Sequence, residues 1–340
     1  PPVAPPPAPV ERTTPAPTPA EFPSTPEAIR LAFTYSAERH GTPERFTEYL
    51  ATQLTTPDRV NAYLAAMFRY TNERDRGQSQ SFVNSGRTES NEHWQTAVSF
   101  FTTYDGAGKV YGDCDDVAIA FGRLFRMQGK NGFSVEVGNA TRDSTGGIEV
   151  NGHMLGGYTE TDSEGRTRVY VVDTTGDGRT QATIRGTIVR PGETPGQAYR
   201  RVIRETTTDP TPMDPESIRT SFVASDGRAF GIPANFALLL RSQEMEGHLE
   251  ARNYAAVLGM IREEIGRAPT NMTLRIAEMQ FLLLTGAPNA ALDAAIAAMA
   301  RLSSGADSSN VYDVLTTYNQ LLTSARREQA LALRRACIRG

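Results

Sequence analysis

The chain has 340 residues, 39% of them hydrophobic and 22% charged, with a net charge of −4. That length suits one large or two ordinary domains, and the charge balance gives no electrostatic reason to expect nucleic acid. No apolar run approaches the roughly 20 residues a bilayer span needs, and two cysteines, Cys114 and Cys337, cannot build a disulfide framework.

The first 26 residues hold 11 of the 21 prolines. Such a segment cannot bury a core and favours extended polyproline II, so it reads as a spacer or an unfolded terminus. The first residue is proline, so something upstream is expected to have been removed, and a secretory or lipoprotein signal would fit the spacer although none is visible in the sequence. The expectation is an extracytoplasmic protein, periplasmic, envelope-tethered or secreted, with a cytoplasmic location as the alternative.

Folded sequence is expected from Ser24, where Ser-Thr-Pro-Glu resembles a capping box, to a helix end at Gly41. Thr42-Pro43-Glu44 starts a second helix, and Pro57 to Glu73 reads as a third, with Val60, Tyr63, Leu64, Met67 and Phe68 on one stripe. Residues 74 to 93 are polar and read as loop, and Trp94 to Thr103 as a short helix.

"GDCDD" then opens a helix that closes at Gly129. Asp113 is a good N-cap, which puts Cys114 in the first turn, where free N–H groups and the helix dipole favour a thiolate. Asp115 and Asp116 turn about 100° and 200° away from it, toward the helix start or solvent. Cys114 shares its face with Val117, Ala118, Phe121 and Phe125, a stripe suited to packing on a sheet.

From residue 132 the period changes to two. "GFSVEVGNA", "GIEVNGHMLGGYTE" and "RTRVYVVDTT" read as strands. A five-residue loop over 161 to 165 would pair His153 directly with Asp173, on a face looking toward the core and the cysteine helix. Cys114, His153 and Asp173 would then form nucleophile, base and orienter. The Cys114 N–H, Trp94 Nε1–H and the Gln95 side-chain amide are candidate oxyanion or substrate-positioning donors. His40, His93 and His248 have no comparable company and read as surface or loop residues. "DTTGDG" at Asp173 only partly imitates a calcium loop, with Ile184 at the twelfth position, so neither metal nor cofactor is expected.

From Asn235 the chain becomes Ala/Leu-rich. Amphipathic pieces at 253, 289 and 327 alternate with helical pieces between them, 36 and 38 residues apart. This spacing suits a tetratricopeptide-like array or a plain helical bundle, and either would offer a surface to a protein partner.

"GDCDD" at Cys114, "NGHMLGGY" at His153 and "VYVVDTT" at Asp173 together resemble the transglutaminase-like superfamily, and "EHWQTAVSFF" resembles the segment before the cysteine in bacterial transglutaminase-like cysteine proteinases. The likeness covers residues 55 to 178. It departs from the family's pattern at Met154-Leu155, where an aromatic residue often follows the histidine. The resemblance implies an α+β core with an antiparallel sheet packed on the cysteine helix, a permuted relative of papain-type peptidases. It also implies thioester chemistry on a protein or peptide: hydrolysis, or acyl transfer from glutamine to an amine, with inactive scaffolds also known. The expected organisation is a spacer over 1–26, a catalytic domain over 27–232 and a helical domain over 233–340.

Overall fold

The computed structural model describes residues 22–71, 82–84, 87–89, 94–142, 148–174, 182–206, 218–302 and 308–337. The proline-rich segment before Phe22 and most of the polar stretch 74–93 lie outside the described residues, as does the sequence just after Thr174.

The first helices start as their residue types dictate. Thr25, Thr42 and Thr56 each accept a hydrogen bond from the N–H three residues on, with proline next, ahead of α1 (Pro26–Phe33), α3 (Pro43–Gln53) and α4 (Pro57–Met67). The first cap is Thr25 rather than Ser24, and Glu27 pairs with Arg30 instead of reaching back. The expected single helix to Gly41 is two: α1, then the short α2 (Ala37–His40), closed by Gly41 at φ 73°. His40, partly exposed at the end of α2, packs on the Phe46 and Tyr49 rings. The third helix stops at Met67, because Phe68–Tyr70 (β1) pairs in parallel with Val110–Gly112 (β4). Between them, Phe82–Asn84 (β2) and Arg87–Glu89 (β3) form a hairpin, and α5 spans Ala97–Thr102 behind Thr96 as cap.

The centre of the molecule is α6 (Cys114–Met127) lying on a six-stranded sheet. The strands are β5 (Asn131–Arg142), β6 (Ile148–Thr161), β7 (Thr167–Asp173), β8 (Thr183–Ile188), β9 (Ile218–Val223) and β10 (Ala229–Ala234). They run in the order β10-β9-β5-β6-β7-β8, every neighbouring pair antiparallel. This is the mixed α/β architecture with an antiparallel sheet that the strand periodicity led us to expect.

Each face of the sheet has its own core. On one, Tyr158, Val172 and Ile184 join Val117, Phe121 and Phe125 of α6 and the N-terminal helices. The approach is close: a Cβ on Gly156 of β6 would lie 3.0 Å from Ala118 O. On the other face, Phe133, Val135, Leu155, Val169 and Val171 meet α7 (Pro195–Thr206) and the C-terminal helices.

Those helices are α8 (Phe236–Leu239), α9 (Ser242–Glu250), α10 (Tyr254–Arg267), α11 (Met272–Leu284), α12 (Asn289–Leu302), α13 (Ser308–Thr323) and α14 (Arg327–Cys337). The longer ones fall where the amphipathic pieces lie in the sequence. They share one continuous hydrophobic cluster with the sheet, so residue 233 marks a change of secondary structure rather than a break in packing. A buried ion pair adds to this: Arg126 of α6 binds Glu246 of α9 through Nε at 2.7 Å and Nη2 at 2.8 Å.

Candidate active site

The first turn of α6 is built around a buried carboxylate. Asp116 is fully buried and accepts from Gln95 N at 2.9 Å, Gln95 Nε2 at 3.0 Å and Asp113 N at 3.4 Å. Gly112 makes room for it, since a Cβ there would stand 2.6 Å from Asp116 Cβ. Gln95 is therefore not available as an oxyanion donor: its two amide hydrogens go to Asp116 and to Tyr111 O at 3.1 Å. Its role is to clamp the segment before the cysteine onto the helix start.

Asp113 and Asp115 are buried as well, so these aspartates face the helix start but not solvent. Burial pushes the Asp115 carboxyl well above the usual range, and a hydrogen bond to Asp113 and the nearby charges of Asp113, Asp116 and Cys114 add to it. This shift favours the protonated, neutral form of Asp115 and so weakens the negative field beside the sulfur. Asp113, Asp115 and Asp116 offer oxygens within 4.8 Å of one another and are the one set among the described residues whose arrangement could hold a metal ion. Gln95 already donates two hydrogen bonds to the Asp116 carboxylate.

Cys114 is the first residue of α6 and half-buried. It packs, with Trp94 and Val223, against the small cluster of Ala118, Ile119 and Met154. Trp94 is thereby brought to the cysteine's surroundings, and Met154 lies on the same side.

The structure joins His153 to Asp173. His153 Nε2 lies 2.8 Å from Asp173 Oδ1, with side-chain exposures of 21% and 4%. With Nε2–H donating to the carboxylate, Nδ1 keeps a lone pair for proton transfer. The Asp173 charge also reaches the buried Tyr199 hydroxyl of α7, whose pKa burial first, and then that charge, raises.

The register differs from the expected one. Glu160 pairs with Arg168 and Thr161 with Thr167, so the five-residue loop spans 162–166. Asp162 sets this position, its carboxylate accepting from Glu164 N at 3.0 Å and Arg166 N at 2.9 Å. These bonds hold it down to about 2, the Arg166 backbone N–H contributing most. The register, continued one step past Gly156↔Val172, sets Leu155 opposite Asp173, so the histidine reaches the aspartate diagonally. An odd-length loop preserves parity, and the two stay on one face.

That face is not the one expected. Pairing of β5 with β6 runs without a bulge from Asn131↔Thr159 to Arg142↔Ile148, so side chains alternate strictly. Met154, Gly156 and Tyr158 face α6, whereas His153, Leu155 and Asp173 project to the face covered by α7 and the C-terminal helices. The sequence reading turned His153 and Asp173 toward the cysteine helix, and apolar residues on both sides of the sheet hid which face that is. By this alternation His153 and its neighbour Met154, which lies in the Cys114 cluster, fall on opposite faces of β6. Alternation around Met154 was the signal that could have revealed this.

Neither family models nor comparisons with curated proteins and solved structures give a match for this chain.

Proposed function

We propose that the chain is a thiol-dependent amide-bond enzyme of the transglutaminase-like kind, with Cys114 as nucleophile and the His153–Asp173 dyad as its proton carrier. The observation that carries this reading is the 2.8 Å contact between His153 Nε2 and Asp173 Oδ1, which orients the imidazole, on the strand whose next residue lines the Cys114 cluster. The Cys114 thiolate attacks an amide carbonyl and the carbon–nitrogen bond breaks. The imidazolium gives its proton to the departing amine, and a thioester remains on Cys114. Water, activated by the imidazole, then releases the acid. An incoming amine in place of water would make the reaction acyl transfer. The substrate is a protein or peptide, and no cofactor enters.

The reading requires the imidazole to reach the sulfur around β6, beyond the Gly156↔Val172 pair at which its pairing with β7 ends among the described residues. The alternation along β6, which turns His153 and Met154 to opposite faces, favours a second reading, a silent scaffold in which Cys114 is a packed structural thiol. Iodoacetamide distinguishes them. Cys337 is an internal control, because burial pushes its thiol up to about 11. Under the enzymatic reading Cys114 is labelled selectively near neutral pH, and His153→Ala lowers its rate by about tenfold or more. Equal rates in the two proteins would assign the scaffold. A peptide library incubated with a tagged amine then separates transfer, which incorporates the tag, from hydrolysis, which only cleaves.

A further inference from the structure

A cleft of about 540 Å³ opens far from Cys114 in the sequence, where the β9–β10 turn meets the start of α10 and the ends of α11 and α13. Its volume falls in the usual range for small-molecule sites, roughly 300–1,000 Å³. Phe230, Tyr254 and Phe281 give it ring surface, and Leu284, 40% exposed, forms an apolar lip. Nothing in the mechanism above uses it.

Arg228 and Tyr254 offer this cleft protons rather than lone pairs. Asp226, the acid in the lining, is already committed: its carboxylate accepts Arg228 N at 3.2 Å, Arg228 Nε at 2.6 Å and Arg252 Nη2 at 3.0 Å. These bonds, the one from the Arg228 side chain foremost, hold the carboxyl down to about 2. Arg228 also donates from Nη1 to Tyr254 OH at 2.7 Å and from Nη2 to Leu249 O at 3.3 Å. Each terminal nitrogen of a guanidinium carries a second N–H, and neither of these has a partner among the described residues. Because the Tyr254 oxygen accepts from Arg228, its own proton is left to donate. The guanidinium lies 5.4 Å from the centre of the Phe230 ring, which keeps these donors beside the apolar wall.

Charge narrows the class of ligand. Asp226 and Arg228 are the charged residues of the lining and pair with each other, so the lining has no net charge. A carboxylate would gain from Arg228 and lose to Asp226. An ammonium group would meet a guanidinium and an acid whose oxygens are taken. A neutral acceptor has no such conflict. Its own desolvation is offset by the N–H and O–H donors, whereas an occupant without an acceptor would strip those donors of water and give nothing back.

We propose that this cleft binds a small uncharged molecule with an apolar, ring-bearing body and a carbonyl oxygen at one end, the body against Phe281 and Leu284 and the oxygen toward Arg228 and Tyr254. The proposal stands apart from the Cys114 reading.

Matched probes separate the contributions: butyrophenone, butylbenzene without the carbonyl, phenylbutyrate and phenylbutylammonium. Saturation-transfer NMR with the full chain should show saturable binding of butyrophenone. Butylbenzene should bind about tenfold more weakly, since it leaves the donors without an acceptor. Both charged probes should also bind more weakly than butyrophenone. Tyr254→Phe should weaken butyrophenone by about fivefold and narrow its lead over butylbenzene, a change of selectivity that lost folding would not produce. Ser324 lines the cleft and is exposed. Ser324→Trp should therefore close the cleft to every probe while keeping the wild-type urea midpoint. Absence of saturable binding at millimolar butyrophenone, or equal affinity for butylbenzene, would overturn the proposal. So would tighter binding of either charged probe, which would make the cleft an ion site, or binding indifferent to Ser324→Trp, which would place the ligand elsewhere.

Discussion

Replacing Glu246 by leucine tests how far the cysteine helix depends on the C-terminal helices. Glu246 is 5% exposed and accepts Arg126 Nε at 2.7 Å, Arg126 Nη2 at 2.8 Å and Arg123 Nη1 at 2.7 Å. Arg126 is 3% exposed, whereas the Arg123 side chain is 41% exposed and stays hydrated, so its share is discounted. Leucine would leave the Arg126 guanidinium buried, with Gly132 O at 3.0 Å and the Phe222 ring at 5.3 Å as its remaining company. Stranding one member of a buried pair costs about 3–5 kcal/mol. Arg126→Met combined with Glu246→Leu should recover most of that, ending within about 1–2 kcal/mol of wild type.

The pH dependence has a definite sign. Burial alone would raise the Glu246 carboxyl, but Arg126 and then Arg123 override it and hold the carboxyl below its ordinary value. The stability it contributes is therefore complete above the unfolded value, near 4.5, and fades as pH falls through the lower folded value. Urea unfolding of wild type, Glu246→Leu, Arg126→Met and the double variant at pH 7 and pH 4 measures both effects. The reasoning fails if Glu246→Leu costs less than about 1 kcal/mol, if the double variant is no better than the worse single one, or if the helical section unfolds in its own transition.

Three further outcomes follow from the helix start and the sheet. Gly112→Ala should displace Asp116, its new Cβ falling 2.6 Å from Asp116 Cβ, and cost about 2 kcal/mol or more by urea titration; a wild-type midpoint would refute that packing. Asp115→Asn should raise stability at neutral and alkaline pH and flatten its decline. A carboxyl raised in the folded state contributes fully below its unfolded value and loses that contribution as pH climbs through the folded one. Thermal melts from pH 5 to 9 read the difference, and parallel curves would show an ionised Asp115. Gln95→Leu should destabilise the protein by about 1–3 kcal/mol by stripping Asp116 of a buried donor, whereas Gln95→Glu should cost more, by setting two carboxylates together.

What the sequence disclosed depended on how local the cause was. Threonine caps followed by proline put three helices within a residue of their starts, because cap and first turn are fixed by neighbours. Asp113 and Gly129 bracketed α6 for the same reason. The His153–Asp173 bond was legible through parity alone, since any odd loop between β6 and β7 keeps both on one face. Which face that is was hidden, because apolar residues line both sides of β6 and β7 and the helices covering them lie far away in sequence. The Gln95 clamp was hidden too. Twenty-one residues separate Gln95 from Asp116, and only the folded segment shows that the amide is spent inside the protein.

The common core under the sheet also bears on how the chain can be shortened. Ending it near residue 232 would lay bare the undersides of Phe133, Val135, Leu155, Val169 and Val171. It would also remove the carboxylate that answers Arg126. The C-terminal helices are thus the floor on which the cysteine half stands, and a trimmed protein is expected to aggregate.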